Sequence, residues 1–97
     1  MKYSISRKAL QDIEEIWLYT YENWSLEQAD RYYNLIMDEV SYSAHNFESA
    51  RSMDHIKKGY KASRVKAHII FFRKNKHNIF EIIRVLHQHM DIENRLG

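Results

Sequence analysis

Cysteine and proline are absent from this 97-residue chain, and glycine occurs only at Gly59 and Gly97. Without cysteine, neither a disulfide framework nor thiol chemistry is available. With so few residues that break helices and strands, the element boundaries have to be read from hydrophobic periodicity. No apolar run approaches the roughly 20 residues that a membrane-spanning helix needs, and the first residues lack the apolar core of a signal peptide. We therefore expect one domain over residues 1–97 that is located in the cytoplasm and has no membrane partner.

Charge is divided unevenly between the two halves of the chain. Residues 1–50 hold four Lys or Arg against nine Asp or Glu, whereas residues 51–97 hold eleven against four. The small formal net charge of +2 therefore hides an acidic first half and a basic second half. This distribution predicts a protein that offers one basic face to a macromolecule.

The first half has the hydrophobic periodicity of two helices. Apolar residues recur every three or four positions from Lys8 to about Trp24, and again from Ala29 to Ala44. The segment Ser25-Leu26-Glu27-Gln28 matches a helix-capping box, so a second helix is expected to follow it and to end near Phe47. A short strand at Tyr3–Ile5 would precede this helical hairpin, and the aromatic residues of the hairpin are expected to pack in its core.

The second half has the composition of strands. Tyr60–Val65, Ala67–Lys74 and Asn78–His87 are rich in β-branched and aromatic residues, and a polar turn separates the last two. The runs Ile69–Phe72 and Ile82–Leu86 are apolar on both alternating faces, which indicates central strands that are covered on both sides. The helical hairpin would cover one side, and the C-terminal tail or a partner chain the other. The predicted fold class is α+β, with an N-terminal helical hairpin packed on an antiparallel sheet of three or four strands.

Short motifs follow one another in a specific order along the chain. In the first half they are Tyr3-Ser4, Asp12-Ile13, Tyr19-Thr20 and Trp24-Ser25-x-x-Gln28-Ala29-x-x-Tyr32. In the second half they are Asp54-x-Ile56, Gly59-Tyr60-Lys61, His68-x-Ile70-Phe71-Phe72-Arg73 and Ile83-Arg84-Val85-Leu86-His87-x-x-Met90-Asp91. In their joint order and spacing, they resemble the ParE branch of the ParE/RelE superfamily, the toxins of bacterial type II toxin–antitoxin pairs. Lys61 departs from the pattern, because the family usually has arginine there.

The resemblance implies a toxin that inhibits DNA gyrase by binding to it, traps it on cleaved DNA, has no enzymatic activity of its own and serves plasmid stabilisation. It also implies a cognate ParD-like antitoxin that neutralises the toxin, and operator DNA would be contacted only indirectly, through that antitoxin. Two alternatives stay open. One is a RelE-like ribosome-dependent mRNA endoribonuclease, and the other is a module that only assembles with an antitoxin-like partner.

Two sets of candidate site residues follow from this interpretation. Residues of the basic second half are expected to bind the target, namely Lys61, Arg64, Arg73, Arg84, His87 and Met90. An apolar strip on the sheet face away from the helices is expected to bind the antitoxin, unless the tail folds back over it. This strip would consist of Ile70, Phe72, Ile82 and Leu86.

The endoribonuclease alternative requires a general acid, a general base and cations close together. In a regular last strand, Arg84 would share a face with Ile82, and His87 would share the opposite face with Ile83. That separation is unfavourable for one active site and favours the binding inhibitor. We expect His68, at the start of an apolar strand, to be a hydrogen-bonded structural residue.

A metal site is also considered near the end of the last strand. His87-Gln88-His89 with Asp91 has the donor types that bind zinc, but a zinc site needs three or four ligands in tetrahedral geometry. Nothing nearby in the sequence clearly supplies the rest. We therefore expect neither a metal nor another cofactor.

Overall fold

The computed structural model describes residues 3–96 as two long helices, five strands and a short C-terminal helix. In chain order the elements are β1 (Tyr3–Ile5), α1 (Arg7–Asn23), α2 (Leu26–His45), a 3₁₀ turn (Phe47–Ser49), β2 (Arg51–Ser52), β3 (Lys61–Val65), β4 (His68–Lys74), β5 (Phe80–His87) and α3 (Ile92–Leu96).

The predicted helical hairpin is confirmed, with boundaries within two residues of those expected. Ser6 Oγ accepts a hydrogen bond from the Ala9 amide at 3.0 Å and begins α1, and Ser25 Oγ accepts from the Gln28 amide at 3.1 Å and begins α2. Each serine therefore satisfies an amide that has no partner within the first helical turn. No helix within residues 3–96 combines the length and the apolar character needed to cross a bilayer.

The strands form one mixed sheet in the order β1-β5-β4-β3-β2. The α+β class is confirmed, but the expected three or four antiparallel strands become five strands with one parallel pair, between β1 and β5. The two-residue strand Arg51–Ser52 is too short to show alternation in the sequence. The orientation of β1 depends on pairing with a strand far along the chain, which local patterns do not encode.

Two apolar clusters lie on opposite faces of this sheet. The buried residues of the first, beneath α1 and α2, are Ala9, Ile13, Ile36, Val40, Ala44, Val65, Ile70, Phe72, Phe80, Ile82 and Val85. Those of the second are Met53, Tyr60, Ala62, Phe71, Leu86 and Leu96. The central strands β4 and β5 contribute to both, as their apolar runs predicted. The second face is covered by α3 and by segment 53–60.

The predicted apolar strip is wrong, because its members are neither exposed nor on one face. Ile70, Phe72 and Ile82 have no exposed surface and lie beneath the helical hairpin. Leu86 is 1% exposed and lies on the opposite face, in the cluster that Leu96 covers. A fully buried side chain cannot form a surface contact in this conformation.

A β-bulge at Ile83 corrects the predicted alternation of β5. Phe71 pairs with Arg84 and Phe72 with Ile82, so Ile83 is an extra residue in β5. After the bulge, Arg84 no longer shares a face with Ile82, whereas Val85 and His87 lie on the helical side. Arg84 and His87 remain on opposite faces, as predicted.

Candidate functional site

Cations surround the second apolar cluster, on the sheet face opposite the helical hairpin. Arg64 in β3 and Arg73 in β4 belong to this face, because the residues next to them in each strand lie on the helical side. Arg51 in β2 and Lys57 in segment 53–60 lie beside them. We call Arg51, Lys57, Arg64 and Arg73 the basic face.

Tyr60 organises part of the basic face. The Lys57 ammonium lies 5.5 Å and the Arg73 guanidinium 5.7 Å from the centroid of its ring, within the range of cation–π attraction. Arg73 also pairs with Glu81 at 3.2 Å. Gly59, directly before Tyr60, has a φ of +86°, a left-handed backbone conformation that favours glycine. Tyr60 and Glu81 therefore hold these two cations near the surface of the sheet.

Arg64 is a cation of this face that has donors available to a partner. Its side chain is exposed, and its Nε donates to the Lys66 carbonyl at 2.9 Å. Within residues 3–96 its two terminal nitrogens make no hydrogen bond. A planar guanidinium in this state can bind a carboxylate or a phosphate with two parallel hydrogen bonds.

A shallow cleft of about 410 Å³ lies beside Arg64 on the basic face. Its lining combines two arginines with an apolar floor and consists of Arg51, Met53, Ala62, Ser63, Arg64, Ile69 and Ile92. Cations at the rim of an apolar depression suit a protein segment that carries carboxylates beside apolar side chains.

Arg84 is bound to Asp12 of α1 and is not available as a free cation. Its Nε and Nη2 donate to the two carboxylate oxygens at 2.7 and 2.9 Å, and its Nη1 donates to the Arg95 carbonyl at 3.2 Å. The hydrogen bonds that Arg84 donates to Asp12 raise the pKa of Arg84 above its ordinary value. The same carboxylate accepts the Val85 amide at 3.0 Å. The Asp12–Arg84 pair therefore joins α1, β5 and α3.

A second cleft, of about 470 Å³, lies between α1 and the C-terminal end of β5. We call it the histidine cleft, and it is lined by Asp12, Glu15, Ile16, Tyr19, Thr20, Ala67, His68, Val85, His87 and Met90. The imidazole rings of His68 and His87 meet edge to face with centroids 5.3 Å apart, and those of His87 and His89 are 5.2 Å apart.

His68 is hydrogen-bonded and partly buried at the wall of this cleft. The Tyr32 hydroxyl donates to the Val65 carbonyl at 3.0 Å and lies 2.6 Å from His68 Nδ1. The Tyr32 hydroxyl and His68 Nδ1 therefore share a hydrogen bond that joins α2 to β4. Burial, and secondarily the charge of His87, lower the pKa of His68 below its ordinary value. His68 is therefore a hydrogen-bonded histidine, as its position in the sequence predicted. Within residues 3–96, no group of three or more His, Cys, Asp or Glu is arranged to hold a metal ion.

The helical hairpin presents aromatic side chains to solvent. Trp24 is 75% exposed at the connection of the helices, and a groove of about 380 Å³ lies between α1 and α2. The Trp17 indole donates to Asp30 Oδ1 at 2.9 Å across this groove and stacks on Tyr21 with centroids 5.3 Å apart. We call this the hairpin groove, and its lining is Leu10, Ile13, Glu14, Trp17, Asp30 and Tyr33.

Comparison with known proteins identifies the family. The profile of the family described as "ParE toxin of type II toxin-antitoxin system, parDE" matches residues 3–92. The chain belongs to the ParE toxin family. It is 33% identical over 95 residues to Toxin ParE1 of Mycobacterium tuberculosis, which covers 98% of this chain and 97% of that protein. It is 32% identical over 95 residues, with the same coverage, to Toxin ParE1 of Caulobacter vibrioides.

A solved structure shares the ParE fold with this chain. The structure is titled "Chromosomal ParDE TA system from P. aeruginosa", and it superimposes with a TM-score of 0.74 over 90% of this chain and 95% of that chain. The sequence identity is 21%, so this similarity is evidence for the fold alone. The resemblance to ParE toxins inferred from the motifs is therefore confirmed by both the sequence profile and the fold.

The six residues predicted to bind the target do not form one surface in this ParE-family chain. Arg64 and Arg73 belong to the basic face, while His87 and Met90 line the histidine cleft on the other side of the sheet. Lys61 is hydrogen-bonded within the protein, because its ammonium donates to the carbonyls of Phe47 and Glu48 at 2.9 and 3.2 Å. Arg84, the sixth, pairs with Asp12.

Sequence reasoning missed the hairpin groove and the Asp12–Arg84 pair. Aromatic residues at helical spacing are usually core, so Trp17 and Trp24 were expected to pack there. The available signal was the number of such residues, since one helical face cannot bury them all in a chain of this size. The pairing of Asp12 with Arg84 had no signal in a single sequence.

Proposed function

We propose that this ParE-family toxin inhibits DNA gyrase by binding to it, without catalysing a reaction. The observation that carries this proposal is the basic face, where an exposed Arg64 lies beside an apolar cleft. Such a surface suits an acidic patch of a protein or the phosphates of protein-bound DNA. Gyrase on its DNA substrate offers both kinds of partner, and its location would place the toxin in the cytoplasm.

The proposal includes neutralisation by a cognate ParD-like antitoxin. We place the antitoxin on the hairpin groove. This groove is exposed and partly apolar, whereas the apolar strip predicted from the sequence is buried. Leu10, Trp17 and Tyr33 present apolar area there, beside the carboxylates of Glu14 and Asp30. An amphipathic antitoxin helix with apolar and basic residues would match this groove. Operator DNA would then be contacted indirectly, through the antitoxin.

The endoribonuclease alternative has less support. Arg84 is paired with Asp12, and it lies on the opposite face of β5 from His87. The histidine cleft contains the carboxylate of Glu15, which would repel the phosphates of an RNA. The imidazoles and the available arginines are therefore on different surfaces.

A direct assay tests the proposal. Purified antitoxin-free protein is incubated with DNA gyrase, ATP and relaxed plasmid, and both supercoiled product and cleaved linear DNA are measured. We expect loss of supercoiling with accumulation of linear DNA. Absence of both effects at micromolar excess would contradict the gyrase proposal, and mRNA cleavage in a translating extract would then establish the endoribonuclease alternative.

Charge reversal tests the basic face within the same assay. Arg64→Glu is expected to raise the concentration for half-inhibition by at least about tenfold, since a favourable charge contact becomes a repulsive one. Arg31→Glu is the matched control, because Arg31 is an exposed arginine of α2 in the helical hairpin. Full inhibition by the Arg64→Glu protein would refute the placement of the target on this face, even if gyrase is the target.

A further inference from the structure

The turn between β4 and β5 concentrates positive charge at one end of the sheet. Residues 73–78 read Arg-Lys-Asn-Lys-His-Asn, with three Lys or Arg and no Asp or Glu. Lys74, Lys76 and His77 are exposed, and the side chain of Arg73 is 43% exposed. We call Arg73, Lys74, Lys76 and His77 the basic turn. Cations that lie this close together attract a ligand that carries several negative charges.

Hydrogen bonds within the turn fix its backbone. Asn75 Oδ1 accepts the His77 amide at 2.8 Å and the Ile79 amide at 3.2 Å. The Asn75 amide donates to the Ile79 carbonyl at 3.0 Å, and the Asn78 amide donates to the Asn75 carbonyl at 2.9 Å. Asn78 has a φ of 61°, a left-handed conformation in which asparagine is enriched. The cations therefore project from a preorganised backbone, which loses little conformational freedom when a ligand binds.

The cations of the basic turn are engaged only in part within the protein. Arg73 pairs with Glu81 at 3.2 Å, and Lys74 pairs with Glu48 at 3.8 Å. The side chain of Glu48 is 88% exposed, so water screens its pair with Lys74 and another anion can replace it at little cost. Within residues 3–96, the other two side chains of the basic turn make no hydrogen bond or ion pair.

The lining of a cleft beside the basic turn indicates the chemistry of the ligand. The cleft has a volume of about 400 Å³, and all of its lining residues are polar or charged, namely Arg73, Lys74, Asn75, Lys76, His77 and Glu81. A protein partner is normally anchored by an aromatic or aliphatic side chain in an apolar pocket, which this lining does not offer. Phosphate groups need only cations and hydrogen-bond donors. The cleft beside Arg64 does have an apolar floor, so the two clefts suit different partners.

We propose that the basic turn binds the phosphate backbone of duplex DNA, independently of the base sequence. Double-stranded DNA carries one negative charge per roughly 1.7 Å of its axis, so neighbouring phosphates can meet several cations of one turn. Proteins that bind single strands stack the unpaired bases on aromatic rings. Residues 73–79 include no Phe, Tyr or Trp, which favours the duplex. Phosphate contacts carry no sequence information, so recognition of an operator would still depend on the antitoxin.

The DNA contact and the gyrase proposal can fail separately. The basic turn needs neither gyrase nor the cleft beside Arg64 to bind a duplex. If the toxin inhibits gyrase, the DNA held by that enzyme would meet the basic turn, while the cleft beside Arg64 would contact protein. Failure to bind free DNA would leave gyrase inhibition standing, and failure to inhibit gyrase would leave the DNA contact standing.

The test uses the whole protein and a fluorescein-labelled duplex of about 20 base pairs, with fluorescence anisotropy measured between about 25 and about 200 mM KCl. At the lowest salt concentration we expect a dissociation constant below about 100 μM. If three cations displace counterions, the logarithm of the association constant should fall with the logarithm of the salt concentration with a slope of about −2.7. Affinity should therefore fall about 40-fold between about 50 and about 200 mM salt, equally for two duplexes of unrelated sequence.

Charge reversal locates the contact. Lys76→Glu is expected to weaken binding of the duplex at least about tenfold and to reduce the salt slope by about 1, because a phosphate contact becomes repulsive. Arg31→Glu is the matched control, because it changes the net charge equally from an exposed position in α2, next to Tyr32, whose hydroxyl contacts Val65 at the far end of β3. Its effect is expected to stay within about threefold, since salt screens distant charges. Equal effects of the two substitutions would assign the binding to overall charge and overturn the proposal.

Other results would also overturn the proposal. One is the absence of an anisotropy change at about 500 μM protein in about 25 mM KCl. Tighter binding of a single strand of the same length would assign the turn to unpaired nucleic acid. Displacement of the duplex by poly-glutamate at the same concentration of charge would assign it to an acidic protein segment. In the 15N-labelled protein, amide shifts caused by the duplex should centre on residues 74–78, and shifts centred on Arg64 would place the DNA elsewhere.

Discussion

Removal of the Asp12 carboxylate should be among the most destabilising changes to a charged residue of this protein. The side chains of Asp12 and Arg84 are 11% and 13% exposed, so water screens their interaction weakly. In the Asp12→Ala protein the Arg84 guanidinium loses two hydrogen bonds, and the Val85 amide loses its acceptor. Removal of one partner of a buried ion pair typically costs about 3–5 kcal/mol. We expect the free energy of unfolding to fall by about 4 kcal/mol, a large part of the typical 5–15 kcal/mol of a domain.

Two further variants divide this cost between its causes. Asp12→Asn preserves an oxygen acceptor for the Val85 amide but removes the charge, so it should cost less than Asp12→Ala. The double variant Asp12→Ala with Arg84→Met removes the uncompensated cation as well. We expect it to recover part of the loss, which leaves mainly the unsatisfied amide at about 1–3 kcal/mol.

The assay is equilibrium unfolding in urea at neutral pH, followed by circular dichroism, with the free energy and its dependence on denaturant fitted for every variant. Because the pKa of Arg84 is raised, the contribution of its charge is fully present below its unfolded pKa and is lost only as pH rises through the folded value. At neutral pH the contribution of the Arg84 charge to stability is therefore fully present. A loss below about 1 kcal/mol for Asp12→Ala, the range of exposed pairs, would refute the conclusion that this pair is desolvated.

Two other predictions concern a helix cap and a histidine. Ser25→Ala should lower the free energy of unfolding by about 1 kcal/mol, because the Gln28 amide loses its acceptor. Ser41→Ala, at an exposed position inside α2, should have no such cost, and equal effects of the two substitutions in urea denaturation would contradict the cap. Folding lowers the pKa of His68 from its ordinary value of 6.5, so the unfolded chain binds the proton more tightly. The contribution of neutral His68 to stability is therefore fully present above pH 6.5 and is lost as pH falls from there through the lower pKa of the folded protein. We expect the melting temperature to fall between about pH 7.5 and about pH 5.5, and to fall less in the His68→Gln protein; the same pH dependence in both would assign the effect to other groups.

Much of the fold could be predicted from local patterns. Apolar residues every three or four positions predict α1 and α2, and the serine at position 25 predicts where the second helix begins. The doubly apolar runs of β4 and β5 predict two central strands. These features depend on residues within a few positions of one another, and so one sequence contains the required information.

The candidate sites depended on information of another kind. Arg64 and Arg73 share a face because of strand alternation, which can be read from the sequence once the strands are assigned. Lys61 and Arg84 have the same charge and similar neighbours in sequence, but the structure binds one to carbonyls of the 3₁₀ turn and the other to Asp12. Nothing local distinguishes a cation that is available to a partner from one that is already bound.

By itself, the amino-acid sequence determined the class of the fold, the helical hairpin, the central strands, the separation of acidic and basic halves, and the resemblance to ParE toxins. The tertiary structure alone decided which cations are exposed and that the predicted apolar strip is buried. The physical reason is distance along the chain. Asp12 lies 72 residues from Arg84, and a bulge at Ile83 changes the face of every later residue of its strand. Such contacts form only when the whole chain is folded, and local periodicity cannot specify them.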